Sequence, residues 1–139
     1  MQINFETVNK KILAMAEDFP ESKYGYRPVK DVRSFAEVVL HIATSNNYVA
    51  KAANGAKVDF VELPRDKYKT KAEVVAALKQ SIEDSTAVLK QFTDERLAKS
   101  PALWPGFIEH AGEHYGQLVV YYRINGLVPP SSRLKEKTD

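Results

Sequence analysis

Three histidines are the residues of this 139-residue chain best suited to chemistry. His110 and His114 stand four apart, and on a helix that spacing stacks two side chains on one face, about 5–6 Å apart at Cβ. Two nitrogens so placed are within reach of one metal ion. His41 lies far away in sequence inside an apolar helical pattern, so two helices laid side by side would gather three imidazoles. An imidazole on an apolar face is costly unless something satisfies it, and one shared cation would satisfy all three. Three neutral nitrogens leave a coordination position for water or substrate, the catalytic rather than the structural arrangement. Such a centre acidifies a water or a thiol. The competing reading makes the three ordinary bundle histidines, each hydrogen-bonded to a neighbour. The zinc-protease pattern requires a glutamate directly after the first histidine of the pair. Here Ala111 follows His110, and the acids are Glu109 and Glu113, which removes the protease.

The elements that must position these rings are helices. Phe5, Val8, Ile12, Met15, Ala16 and Phe19 recur at intervals of three and four, as on an amphipathic helix, and Pro20 ends it. Residues 20–28, with Tyr24, Tyr26 and Arg27, are rich in turn formers and read as an irregular connection. Ser34 followed by Glu37 is a capping box and opens a second helix. Its buried stripe is Phe35, Val38, Val39, Ile42, Val49 and Ala52, with Val38, His41, Ser45 and Tyr48 as a neighbouring line. Gly55 is a plausible stop. Residues 56–69 form a long aperiodic linker, a length that is uncommon unless it crosses the fold or serves function.

Thr70 and Glu73 repeat the capping box, and Val74, Val75, Leu78, Ile82, Leu89 and Phe92 carry a third helix. Its other face, with Lys79, Glu83, Asp84 and Lys90, is solvated surface. Residues 93–101 read as a loop or a short extra turn. The fourth helix starts between Ser100 and Pro105, a serine before proline suiting an N-cap and first position. Phe107, Ala111, His114, Leu118 and Tyr121 are its core line, Gly126 and Pro129-Pro130 close it, and Lys135–Asp139 is a frayed tail. The expectation is an all-α four-helix bundle in one domain.

Composition excludes several classes. A net charge of +2 with interleaved signs lacks the electrostatic footprint of a nucleic-acid binder. There is no basic-then-apolar leader and no run of 18 apolar residues, so no membrane partner is expected and the cytoplasm is the expected location. With no cysteine, disulfides, thiolate ligands and cysteine nucleophiles are all absent. Any metal is held by nitrogen or oxygen.

Two blocks carry a family resemblance. One is His110-x-x-x-His114-Tyr115-Gly116-Gln117 with Tyr121-Tyr122-Arg123-x-Asn125-Gly126-x-Val128-Pro129-Pro130-Ser131-Ser132-Arg133. The other is Tyr24-x-Tyr26-Arg27-Pro28 followed by Val32-Arg33-Ser34-Phe35-Ala36-Glu37 and His41-Ile42-Ala43. In order and spacing the chain resembles the DinB/YfiT-like family of metal-dependent four-helix proteins over nearly its whole length. The resemblance implies an up-down-down-up bundle with a long crossover between the second and third helices. It also implies a divalent metal, nickel or zinc, held by His41, His110 and His114. Characterised relatives include transferases and isomerases that use low-molecular-weight thiols such as bacillithiol or mycothiol, and relatives often form homodimers. A shortened approach to the fourth helix, Trp104-Pro105-Gly106, departs from longer relatives, so the pocket rim is expected to differ.

Three functional readings follow. In the first, a transferase, the metal activates a small-molecule thiol that attacks an electrophilic substrate. Arg27, Lys30 and Arg33 are candidates for the carboxylates of such a thiol, and Tyr48 and Gln117 for the positions behind the ligands. In the second, a hydrolase, activated water is the nucleophile, with Glu113 or Glu109 as base. In the third, a non-enzymatic stress-related bundle, the chain dimerises through aromatic surface such as Trp104 and Tyr122.

Overall fold

Both capping boxes form. Ser34 Oγ accepts the Glu37 backbone N–H at 3.3 Å while Glu37 Oε2 accepts that of Ser34 at 2.6 Å. Thr70 and Glu73 exchange the equivalent bonds at 3.2 and 2.8 Å. The computed structural model describes residues 1–134, so the tail expected at Lys135–Asp139 lies outside the described residues. Its helices are α1 (Gln2–Asp18), α2 (Phe35–Ala53), α3 (Lys71–Lys90), a short α4 (Asp94–Lys99) and α5 (Leu103–Ile124), with no strand among the described residues. None of these helices is long and apolar enough to cross a membrane. At the ends of α2 and α5 the chain turns at Gly55 (φ 80°) and Gly126 (φ 71°). A Cβ disfavours that left-handed backbone, so glycine stops both helices.

Helix α5 starts at Leu103, inside the expected interval from Ser100 to Pro105, but without the expected serine cap. Ser100 caps the C-terminus of α4 instead, and Ala102 precedes α5 with no side-chain cap. Pro105 falls in the first turn of α5, where its missing N–H costs nothing. Of the two expectations for residues 93–101 the short extra turn holds: Thr93 Oγ1 accepts the Arg96 N–H at 3.3 Å and starts α4.

Helices α1 and α2 each pack on α3 and α5. Phe5 of α1, Val49 and Ala53 of α2, Leu89 of α3 and Trp104 of α5 form one buried cluster. At the other end Phe19 stacks on Phe35 with ring centroids 3.8 Å apart, and Lys71 Nζ donates to the Phe19 carbonyl at 2.9 Å. Tyr122 closes this end, its hydroxyl donating to the Met15 carbonyl at 2.7 Å. Trp104 and Tyr122 are 0 % exposed. This corrects the expectation that they supply surface for a partner: both are large rings that plug the two ends of the core.

Helix α2 is the most enclosed element. From Phe35 to Asn46 every residue except Glu37 is buried, because the crossover, residues 56–69, lies over the part of α2 that α3 and α5 leave open. It is extended apart from one 3-10 turn at Arg65–Lys67, and its Leu63 N–H donates to Thr44 Oγ1 of α2 at 3.0 Å. The core also holds a polar chain. Asn46 Nδ2 donates to Asn9 Oδ1 at 3.0 Å and to Ser81 Oγ at 3.4 Å, and Asn9 Nδ2 donates to the Phe5 carbonyl at 3.0 Å. These three residues, from α2, α1 and α3, are all buried.

After α5 the chain is tied back to α1 by Arg133, whose two terminal nitrogens meet the Asp18 carboxylate at 2.8 and 2.5 Å. Arg133 holds the Asp18 carboxyl below its ordinary value of 3.8. A depressed carboxylate pKa contributes stability that is present above the unfolded value and is lost as pH falls through the folded one. Asp18→Asn is therefore expected to lower the melting temperature at neutral pH. The gap to the parent protein should shrink as the pH falls below about 4, where the unfolded carboxylate takes up its proton while the folded one is still ionised, and close once the folded carboxylate is protonated too. Thermal melts of both proteins across that range check it, and a gap independent of pH contradicts it.

Candidate metal centre

His41 is presented by α2, and His110 and His114 by adjacent turns of α5. Their Nε2 atoms meet: His41 to His110 at 3.0 Å and His110 to His114 at 3.1 Å. One nitrogen from each ring lies within 4.8 Å of the other two. His41 is 8 % exposed, and the α5 pair is half-buried.

The hydrogen bonds on the far side of each ring fix where the protons sit. The Arg33 carbonyl can only accept, so the Tyr121 hydroxyl donates to it, at 2.6 Å. Burial raises the Tyr121 phenol above its ordinary value, which keeps that proton in place. Tyr121 oxygen then accepts from Gln117 Nε2 at 3.1 Å, which turns Gln117 Oε1 toward His114 Nδ1 at 2.9 Å. His114 Nδ1 must therefore carry the hydrogen. His41 Nδ1 lies 2.5 Å from Glu62 Oε1, and a carboxylate likewise demands the proton there. In their neutral forms both rings are left with a bare Nε2 lone pair aimed inward.

His110 sits between them with one proton at most to offer its Nε2. Burial first, then the neighbouring His114, His41 and Arg33, push its pKa down to about 4. His41 is lowered as well, chiefly by burial, against the opposing pull of Glu62. His41 and His110 are thus held toward their neutral forms, and the hydrogen bonds behind His41 and His114 leave more lone pairs than hydrogens between the rings. A divalent cation is what this donor set fits. Two imidazole nitrogens about 2.0–2.1 Å from one ion, at tetrahedral or octahedral angles, lie roughly 2.9–3.4 Å apart. The observed separations of 3.0 and 3.1 Å fall in that interval.

The remaining sequence candidates are distributed unevenly. Gln117 stands behind His114, as described. Tyr48 contributes its ring to an apolar wall, stacked on Phe107 at 5.8 Å and beside Phe60 of the crossover at 5.6 Å. Phe60 in turn lies 5.6 Å from the His41 ring. Glu113 and Glu109 are exposed, and among the described residues neither hydrogen-bonds an imidazole; Glu109 borders a groove with Met1 and Leu97 instead. Arg27 pairs with Glu37 at 2.9 Å and Arg33 with Glu62 at 2.9 Å, so neither guanidinium is a free cation. Both line an open cleft of about 390 Å³, together with Lys30, Glu62 and Arg65. Glu62 is the residue that the sequence reading missed.

These features define an all-helical protein with a partly enclosed three-imidazole cluster able to hold a divalent cation. The chain belongs to the DinB superfamily, whose family model matches residues 4–122. It is similar to the uncharacterized protein YjoA of Bacillus subtilis (strain 168), with 28 % identity over 125 residues that cover 81 % of this chain and 80 % of that protein.

Proposed function

We propose that this chain is a metal-dependent transferase that uses a low-molecular-weight thiol, with His41, His110 and His114 as ligands of one nickel or zinc ion. The observation that carries the reading is the convergence of three Nε2 atoms whose protons have been drawn to the far side of two of the rings. When bound, the cation supplies Lewis acidity, which favours the ionised form of a thiol beside it. Glu62 and Gln117 hold the His41 and His114 rings in the tautomer that binds a metal. Phe60, Tyr48 and Phe107 cover the apolar side and limit the approach of water. Lys30 and Arg65, in the cleft that shares Arg33 and Glu62 with the centre, offer positive charge to the carboxylates of a small anionic thiol.

The same proposal takes the helix order to be up-down-down-up. Its support is the cluster in which the first turns of α1 and α5 meet the last turns of α2 and α3. Two consecutive parallel helices need a long connection, and residues 56–69 provide one. The similar depth of His41 and of the His110/His114 pair in their own helices fits parallel α2 and α5 more simply. In the antiparallel order the rings still meet because His114 lies near the middle of the 22-residue α5. The hydrolase reading loses its base, since Glu109 and Glu113 both face solvent.

Metal-loaded protein is expected to turn over alkylating or epoxide electrophiles only when a small thiol is supplied, and to leave a panel of esters, amides and phosphate esters unchanged. Hydrolysis of any of that panel without thiol would replace this reading with the hydrolase.

A further inference from the structure

We infer that Arg33 and Glu62 are positioning residues that clamp the crossover onto the imidazole cluster, so that filling the centre and closing the crossover are one coupled equilibrium. The inference rests on the metal reading above and adds to it a moving part. One oxygen, Glu62 Oε1, takes both the His41 Nδ1 hydrogen at 2.5 Å and an Arg33 hydrogen at 2.9 Å. Arg33 also carries the carbonyl that anchors Tyr121, Gln117 and, through them, His114. The supports of a ligand on α2 and of a ligand on α5 therefore end on the same residue. Arg33 lies just before α2, and Glu62 is the member of this ring that belongs neither to a helix nor to its N-terminal approach. It stands on the crossover, which is otherwise attached near the site by the Leu63 to Thr44 hydrogen bond and by Phe60 against His41 and Tyr48.

A carboxylate that accepts from the outer nitrogen makes the inner nitrogen a better donor. A ring whose inner nitrogen is engaged polarises its outer N–H and binds the carboxylate more tightly in return. Reciprocity of this kind is required of any two linked binding events. The Glu62 side chain is 42 % exposed, so the clamp can open to solvent without unpacking the core. Opening would widen the cleft that Arg33 and Glu62 line and bring it into continuity with the imidazoles.

The test uses zinc as probe on untagged full-length chain, with affinity from chelator competition and amide hydrogen exchange across residues 56–69. In the parent protein zinc is expected to slow exchange in the crossover. Glu62→Ala is expected to weaken zinc binding about 10–100-fold and to abolish the effect of zinc on crossover exchange. Glu62→Gln, which keeps an acceptor for His41 and loses the charge facing Arg33, should fall between them. Arg33→Ala should weaken zinc in the same direction, and the double variant should cost no more than Glu62→Ala alone, as members of one network do. A purely structural Glu62 would leave crossover exchange indifferent to zinc. The clamp is overturned if Glu62→Ala and Glu62→Gln bind zinc as the parent does, or if parent crossover amides exchange alike with and without zinc. His114→Ala separates the two levels. If it loses zinc while the Glu62 variants do not, the clamp alone fails; if parent and His114→Ala bind zinc equally weakly, the metal centre fails and the clamp with it.

Discussion

Untagged protein prepared without chelator is expected to carry about one divalent ion per chain, and His110→Ala to carry none above background. His110 is the ring whose Nε2 faces both others, at 3.0 and 3.1 Å. Removing it leaves two nitrogens on different helices with an open gap between them. The loss in affinity should exceed the roughly 10–100-fold that removal of an outer partner costs, because a ligand and not its support is gone. Helicity should survive, since His110 is only half-buried and α5 is held by Ala111, Leu118 and Tyr121 in the core. Elemental analysis beside far-ultraviolet circular dichroism checks both halves. Stoichiometric metal in a folded His110→Ala protein would refute the ligand assignment.

The largest loss of stability is expected at Trp104. Its ring is 0 % exposed and meets Phe5 edge-on at 5.4 Å and Phe92 at 5.9 Å, in the cluster where four helices end together. Trp104→Ala removes a large buried side chain and leaves a cavity, a change that costs about 3–5 kcal/mol. For a domain of this size that is a drop of roughly 10–20 °C in melting temperature. Among the described residues the buried indole Nε1 has no hydrogen-bond partner, so the ring's value lies in its bulk. Trp104→Phe should therefore recover much of the loss. The ring contacts of Trp104 are with Phe5 and Phe92 and not with an imidazole, so Trp104→Ala protein that is still folded should keep its metal. A loss under about 1 kcal/mol would show that α5 can close this end without the ring.

What could be read from the sequence was whatever is periodic or local. Intervals of three and four marked the four long helices, and two capping boxes fixed the starts of α2 and α3 because an N-cap depends only on residues three apart. The three histidines were found because each falls on a helical line that points inward. Glu62 escaped because nothing local marks it: it lies in an aperiodic segment, 21 residues beyond the ring it supports. A carboxylate in a coil looks the same whether it is solvated or docked. Arg33 stands out in the sequence by its charge alone, which suggests a substrate, whereas its partner is that same carboxylate. In the sequence Trp104 and Tyr122 look like surface because the turn formers around Trp104 break the local period and Tyr122 lies beside the core line of α5. Their burial follows from how the helix ends assemble, which spacing within one helix does not encode.

The polar chain Asn9–Asn46–Ser81 acts like the teeth of a ratchet. Hydrocarbon faces can slide past one another by a turn with little penalty, but a shift of α2 along α1 would strand the Asn46 amide and the Asn9 carbonyl oxygen in a dry interior, at about 1–3 kcal/mol each. Only one axial setting of α2 keeps them mated. His41 lies five residues before Asn46 on the same helix, so the height at which its ring meets the two from α5 is set by amides that touch neither.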